Sequence, residues 1–172
     1  MPIIPYKGIM PRVHETAFIA EGAQVVGDVT IGAGSSIWYN AVVRGDVQPV
    51  TIGRNTNIQD NCTVHSEPTV ATVIGDDVSI GHNAVIHGCT IESGALVAMQ
   101  ATVLSGAVVG AGSVVGAGAV VGEGKAIPPR RLALGVPARV LRELSDQDVE
   151  RVRLTAEHYA ALAQEHKKTL GS

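Results

Sequence analysis

Along most of the chain, Val or Ile returns at every sixth position. From Val13 the series runs through Ile19, Val25, Ile31, Ile37 and Val43. After three extra residues it resumes at Ile52, Ile58 and Val64, and after four extra residues at Ile74, Ile80 and Ile86. A step of five leads to Ile91, and the series continues through Val97, Val103, Val109, Val115 and Val121 to Ile127. A β-branched residue at one fixed position suits a strand whose side chain packs inward. Small residues follow many of these positions, as in IGAG, IGHN and VGEG, and suit tight corners. A period of six with recurrent glycine excludes a helix, whose period is 3.6. A β-propeller is excluded as well, because its repeat is several times longer.

Three such units make one coil of about eighteen residues, and coils stack at the strand spacing of ~4.8 Å. The series therefore predicts an all-β chain: a parallel β-helix of about six coils over residues 13–132. Each coil buries its Val and Ile against the coils above and below. The stretch IPPRRLALGVPARVL should end the repeat, because proline cannot donate to a ladder. Ser145 followed by Asp148 reads as a helix start. Val149, Val152, Ala156, Tyr159 and Ala163 then recur at helical spacing, so one C-terminal α-helix, about 145–168, should pack along the prism wall.

Composition narrows the picture. The 172 residues fit one domain, and aromatic residues make up only 3 %, fewer than an ordinary core of this size would use. The net charge is −3 with scattered Lys and Arg, which argues against nucleic acid as a partner. No run of 18 apolar residues predicts a membrane span, and the first residues lack the pattern of a secretion signal, so a cytoplasmic protein is expected. Cys62 and Cys89 have neither metal nor redox spacing and read as buried thiols.

The repeat also assigns neighbours. Val43, Val64, Ile86 and Val103 fall in one column, one coil apart. Neighbours of an inward residue point outward. Arg44, His65 and His87 should therefore project from one outer wall, with the two imidazoles close enough to share a metal ion. Ile37, Ile58 and Ile80 form a second column on the preceding face, which places Gln59 and Asp60 one coil below His82. His82 thus lies away from His65 and His87. A three-fold assembly would bring His82 of one subunit to the His65–His87 pair of the next, so the lattice suggests a metal site at a trimer interface. Three neutral imidazoles leave a fourth tetrahedral position open, the arrangement of a catalytic zinc; cobalt or ferrous iron would also fit. Such an ion lowers the pKa of bound water to ~7 and supplies hydroxide at neutral pH. The competing account of exposed histidines is that they do nothing, but a stacked pair repels itself when protonated and is a poor structural choice. His14, His158 and His166 have no such partners and read as surface or packing residues.

The stretches VVRGDV, NIQDNCTVH and IGHNAVIHG resemble the γ-class carbonic anhydrases, hexapeptide-repeat proteins with a left-handed parallel β-helix, over nearly the whole chain. The resemblance implies a homotrimer that hydrates CO2 to bicarbonate with zinc. In it, His65 and His87 of one subunit and His82 of its neighbour are the metal ligands. It implies that Arg44, Asp46 and Asp60 form ion pairs across the interface, that Gln59 orients the attacking hydroxide and that Asn57 helps to place the substrate. Tyr159 matches a family tyrosine brought to the site by the C-terminal helix; a tyrosine that simply packs on the prism is the other account.

Three positions depart from the best-studied γ enzymes. Val47 stands where a glutamate assists proton transfer. The segment HSEPTVATV is shorter than the acidic loop that carries a proton-shuttle glutamate, which leaves Glu67 as the candidate there. Ala161 replaces an asparagine. The chain thus resembles a short-loop subgroup with its ligand set intact and its proton relay incomplete. Slow hydration or another substrate is expected. An acyl-CoA thioesterase, an acyltransferase of the hexapeptide-repeat superfamily and a catalytically weak metal-binding homologue are the alternatives.

Overall fold

The computed structural model describes residues 3–170. Its strands form a three-sided parallel β-helix, and each predicted inward residue takes its place on one of three faces. On face A the paired column is Val25, Val43, Val64, Ile86, Val103 and Val121. On face B it is Val13, Ile31, Ile52, Ile74, Ile91, Val109 and Ile127. On face C it is Ile19, Ile37, Ile58, Ile80, Val97 and Val115. Beyond the first coil these side chains are almost wholly buried. Each buried Val or Ile contributes about 1.5–3 kcal/mol relative to an exposed one.

The helix is longer than the repeat predicts, at both ends. Ile3–Ile4 pairs below Val25, and Arg131–Leu134 adds a rung on face C, where Ala133 pairs with Val115. Pro128 and Pro129 do not break the ladder, because they occupy a corner where no strand donor is required. The stop comes later, where Arg139–Glu143 folds back antiparallel on Arg131–Leu134.

Corners also differ from the expectation in detail. The left-handed residue lies three positions after the inward one, as at Asn40, Asn61, Asn83, Gly106 and Gly124. Asn tolerates this conformation better than most residues with a side chain. Glycines directly after an inward residue serve another purpose. A Cβ on Gly81 would lie 2.6 Å from the backbone nitrogen of Met99 in the next coil.

The inserted residues all fall at the corner between faces A and B. The first insertion is not a loop: Val42–Ile52 is one continuous strand that runs round this corner. It runs parallel to Gln24–Ile31, so closely that a Cβ on Gly45 would lie 2.3 Å from the Asp28 carbonyl oxygen. The second insertion is a tight turn closed by reciprocal backbone hydrogen bonds between Glu67 and Val70, at 2.9 and 3.1 Å.

The C-terminal helix, Asp146–Leu170, starts as the sequence predicts. Ser145 Oγ accepts from the Asp148 amide, and an Asp148 carboxylate oxygen accepts from the Ser145 amide. Val152, Ala156 and Ala163 are buried against face C, with Tyr159 and Val149 half-buried beside them. Phe18, Ala20 and Trp38 on that face form the other half of the contact. Among the described residues, no helix is long and apolar enough to cross a membrane.

Candidate metal centre

Face A carries the stacked pair. His65 and His87 are direct ladder partners, and Arg44 pairs with His65 on the coil below. The rings of His65 and His87 lie 5.3 Å apart between centroids. Both are only part-exposed. His82 sits in the turn that leads from face C into face A. It therefore flanks the opposite edge of face A from His65 and His87. Among the described residues of one chain, no three His, Cys, Asp or Glu side chains converge to hold an ion.

Each imidazole has one nitrogen held by an oxygen. His65 Nε2 lies 2.9 Å from Asp46 Oδ1, and the other Asp46 oxygen pairs with Arg44. His82 Nδ1 lies 2.8 Å from Asp60 Oδ2. His87 Nδ1 lies 3.0 Å from Ser105 Oγ, with Glu67 Oε2 at 3.9 Å. A carboxylate only accepts, so the facing nitrogen of His65 and of His82 carries the proton. The other ring nitrogen then carries a lone pair, as a metal ligand requires. Burial pushes the Asp46 carboxyl up, but hydrogen bonds from His65 and Arg44 outweigh it and hold it below the ordinary carboxylate range.

Asn57, Gln59 and Tyr159 gather on the His82 side. Gln59 Nε2 donates to Asn57 Oδ1 at 3.0 Å, and Asn57 Nδ2 donates to Ser79 Oγ at 2.8 Å. Both amides are buried. A cavity of about 250 Å³ is lined by Gln59, His82, Met99 and Tyr159. Tyr159 both packs on the prism and reaches towards His82. Its ring packs edge-on against Trp38 at 5.4 Å, and its hydroxyl lies 3.4 Å from His82 Nε2. Burial first, and then the charge of Asp60, raises its pKa, so it keeps its proton and acts as a donor.

The imidazoles are donors of the kind a divalent cation takes, but the described residues of one chain do not close on it. Two imidazoles with open lone pairs stand together on one edge of face A, and a third stands on the other edge. Three such ligands leave one tetrahedral position open.

Comparison with known proteins identifies the family of the chain. The model of the bacterial transferase hexapeptide family, described as six repeats, matches residues 10–45 and 71–104. The chain is 60 % identical over 146 residues to the "Probable carbonic anhydrase" of Methanocaldococcus jannaschii, which covers 85 % of this chain and 92 % of that protein. It is 48 % identical over 162 residues to gamma carbonic anhydrase 1 of Arabidopsis thaliana, covering 91 % of this chain and 59 % of that longer protein. The chain belongs to the γ-carbonic anhydrase family. Its fold also matches a solved hexapeptide transferase family protein from Anaplasma phagocytophilum, with a TM-score of 0.91 and 42 % identity over 95 % of this chain and 96 % of that one.

Other features of this γ-carbonic anhydrase relative are structural. Cys62 and Cys89 are buried, and burial pushes both thiols up to about 12, so neither is a nucleophile at neutral pH. His166 packs on Trp38 and meets the Tyr39 hydroxyl at 3.0 Å. His14 bonds Thr16, and His158 lies beside the Tyr159 ring. One polar residue at the site was not singled out by the histidine columns. Ser105 stands two positions after Val103, one coil beyond His87, and the same column arithmetic carried one position further would have found it.

Proposed function

We propose that this chain forms a homotrimeric, metal-dependent carbonic anhydrase that hydrates CO2 to bicarbonate. His65 and His87 of one subunit and His82 of its neighbour would hold the cation, zinc being the best match to three imidazoles, with cobalt or ferrous iron also compatible. The observation that carries the reading is the pairing of His65 and His82 with carboxylates and of His87 with the Ser105 hydroxyl, which leaves each ring a second nitrogen, met only in His82 by the Tyr159 hydroxyl at 3.4 Å. A bound divalent cation supplies hydroxide at neutral pH by lowering the pKa of water to ~7.

The chain's own groups do the rest. Asp46 and Asp60 hold His65 and His82 in fixed orientation, and Arg44 holds Asp46 in turn. Gln59, fixed by Asn57, presents a polar group beside His82 for orienting a water or the substrate. Val47 is exposed and brings no titratable group to the site. Hydration releases one proton per turnover, so a relay with few carboxylates favours a slow enzyme.

A second reading has support from the relatives named as hexapeptide transferases. It is an acyl-CoA-directed activity, either transfer or thioester cleavage, at the same place. Metal analysis of the purified protein, its mass in solution, and parallel assays of CO2 hydration and acyl-CoA cleavage test both. The expected result is a trimer with one metal ion per subunit and CO2 hydration. In His87→Ala the metal should be lost and the trimer kept. A monomer, or a tightly bound stoichiometric metal in His87→Ala, overturns the metal-centre reading; acyl-CoA cleavage without CO2 hydration overturns the substrate.

A further inference from the structure

We propose that Ser105 and Glu67 act as a positioning pair for His87, holding its ring in the tautomer and direction that leave Nε2 free; this rests on the metal-centre reading above. His65 and His82 each have a carboxylate at hydrogen-bond distance. His87 does not: its nearest carboxylate oxygen, Glu67 Oε2, is 3.9 Å away. A hydroxyl fills the gap. Ser105 Oγ lies 3.0 Å from His87 Nδ1 and 3.4 Å from Glu67 Oε2.

The direction of the hydrogen bonds follows from counting protons. Serine has one proton on oxygen and two lone pairs, and a carboxylate has only lone pairs. The Ser105 proton therefore points to Glu67, and Ser105 Oγ accepts from His87 Nδ1–H. The proton of the neutral imidazole is committed to Nδ1, and Nε2 is left as a lone pair.

Three coils cooperate to build this arrangement. Glu67 follows the strand Thr63–His65, His87 ends the strand Val85–His87, and Ser105 follows the strand Thr102–Val103. These strands are ladder neighbours, with Val64 paired to Ile86 and Ile86 to Val103. The tight turn closed by Glu67 and Val70 anchors the Glu67 backbone, and Pro68 pre-sets its bend. Gly88 makes room between the three. A Cβ there would lie 2.8 Å from Glu67 Cβ and 3.2 Å from Ser105 Oγ, and its φ of +57° disfavours most residues with a side chain. The four-residue insertion, the five-residue step and a corner serine thus converge on one ring.

The test is zinc affinity of the trimer, measured by competition with a chelator, beside 15N spectra of the histidine rings. Ser105→Ala should weaken zinc about 10- to 100-fold, as loss of a ligand's outer hydrogen bond does, without changing stoichiometry. In the metal-free trimer it should shift His87 away from the Nδ1–H tautomer, and Ser105→Thr should restore both readouts. Glu67→Ala should move both the same way by less, because Ser105 stays in place and loses only its acceptor; it also serves if Ser105→Ala does not fold. Wild-type affinity and tautomer in Ser105→Ala, or no rescue by threonine, overturns the positioning role. His87→Ala separates the two levels: if it keeps its zinc, the metal-centre reading itself fails, whereas if it loses zinc while Ser105→Ala binds normally, only the positioning role fails.

Discussion

The coils between Val97 and Ile127 and those between Val43 and Ile91 share one interior and have different exteriors. The first set keeps the six-residue step throughout, turning at Gln100, Gly106, Gly112, Gly118 and Gly124. It brings the candidate centre only Ser105 and the apolar wall at Ala98 and Met99 beside His82. The second set departs from the step three times, always at the corner between faces A and B. Those departures place Asp46, Glu67 and Gly88 around His65 and His87. Inward columns run unbroken through both sets. The difference teaches that a solenoid can vary one corner at little cost to its core, because each coil is stabilised by its own inward residues and its nearest neighbours.

If that division is right, inner and outer substitutions on the same coil should separate cleanly. Ile86→Ala, which opens a cavity in the core beneath the site, should cost about 2–5 kcal/mol in urea unfolding. The adjacent His87→Ala should stay within about 0.5 kcal/mol of wild type in the metal-free protein. Similar losses for both would mean that the site coils depend on their outer residues for folding.

Glycine substitutions probe the same contrast at the backbone. Gly81→Ala should cost about 1–3 kcal/mol, because its Cβ would meet the Met99 nitrogen and the Ala98 carbonyl carbon and the coils would have to part. The displacement would fall beside His82, so metal binding should weaken as well. Gly118→Ala, in the regular coils, has open space around it and pays only for its φ of +66°, about 1–2 kcal/mol, with metal binding untouched. Unfolding midpoints and zinc titrations of the two variants check this pairing.

The C-terminal helix is a third region, and its attachment can be loosened at its start. Ser145→Ala removes the acceptor for the Asp148 amide and should cost about 1 kcal/mol, within the usual range for a lost cap. Because the helix delivers Tyr159 to His82, fraying read by hydrogen exchange should extend to the first turns before it reaches the site.

The smallest effect concerns acid. The Arg54 amide and then the Arg54 guanidinium hold the Asp76 carboxyl below its ordinary value of 3.8. A lowered folded pKa stabilises the protein above the unfolded value, and that contribution is lost as pH falls through the folded one. The thermal midpoint should therefore fall as pH drops through 3.8 and below, and Asp76→Asn should make that fall shallower. An equally steep fall in the variant would assign the acid sensitivity elsewhere.

Much of this molecule was legible in one dimension. A six-residue lattice converts sequence separation into spatial adjacency, so the column placing Arg44, His65 and His87 together and the one placing Asp60 beneath His82 could be read by counting. The same counting told the inward face from the outward one, because strand side chains alternate. It determined the β-helix, its capping helix and the separation of His82 from the other two histidines. Tertiary structure alone decided the ends of the ladder, where Ile3 and Ala133 join without a β-branched signal that spans the gap, and the path of the insertions. Whether extra residues bulge, turn or continue a strand depends on how closely the next coil approaches, as at Gly45 and Gly88. It also decided which nitrogen of each imidazole is held, since that is a matter of ångströms between side chains from different coils, and a period carries no distances finer than its own spacing.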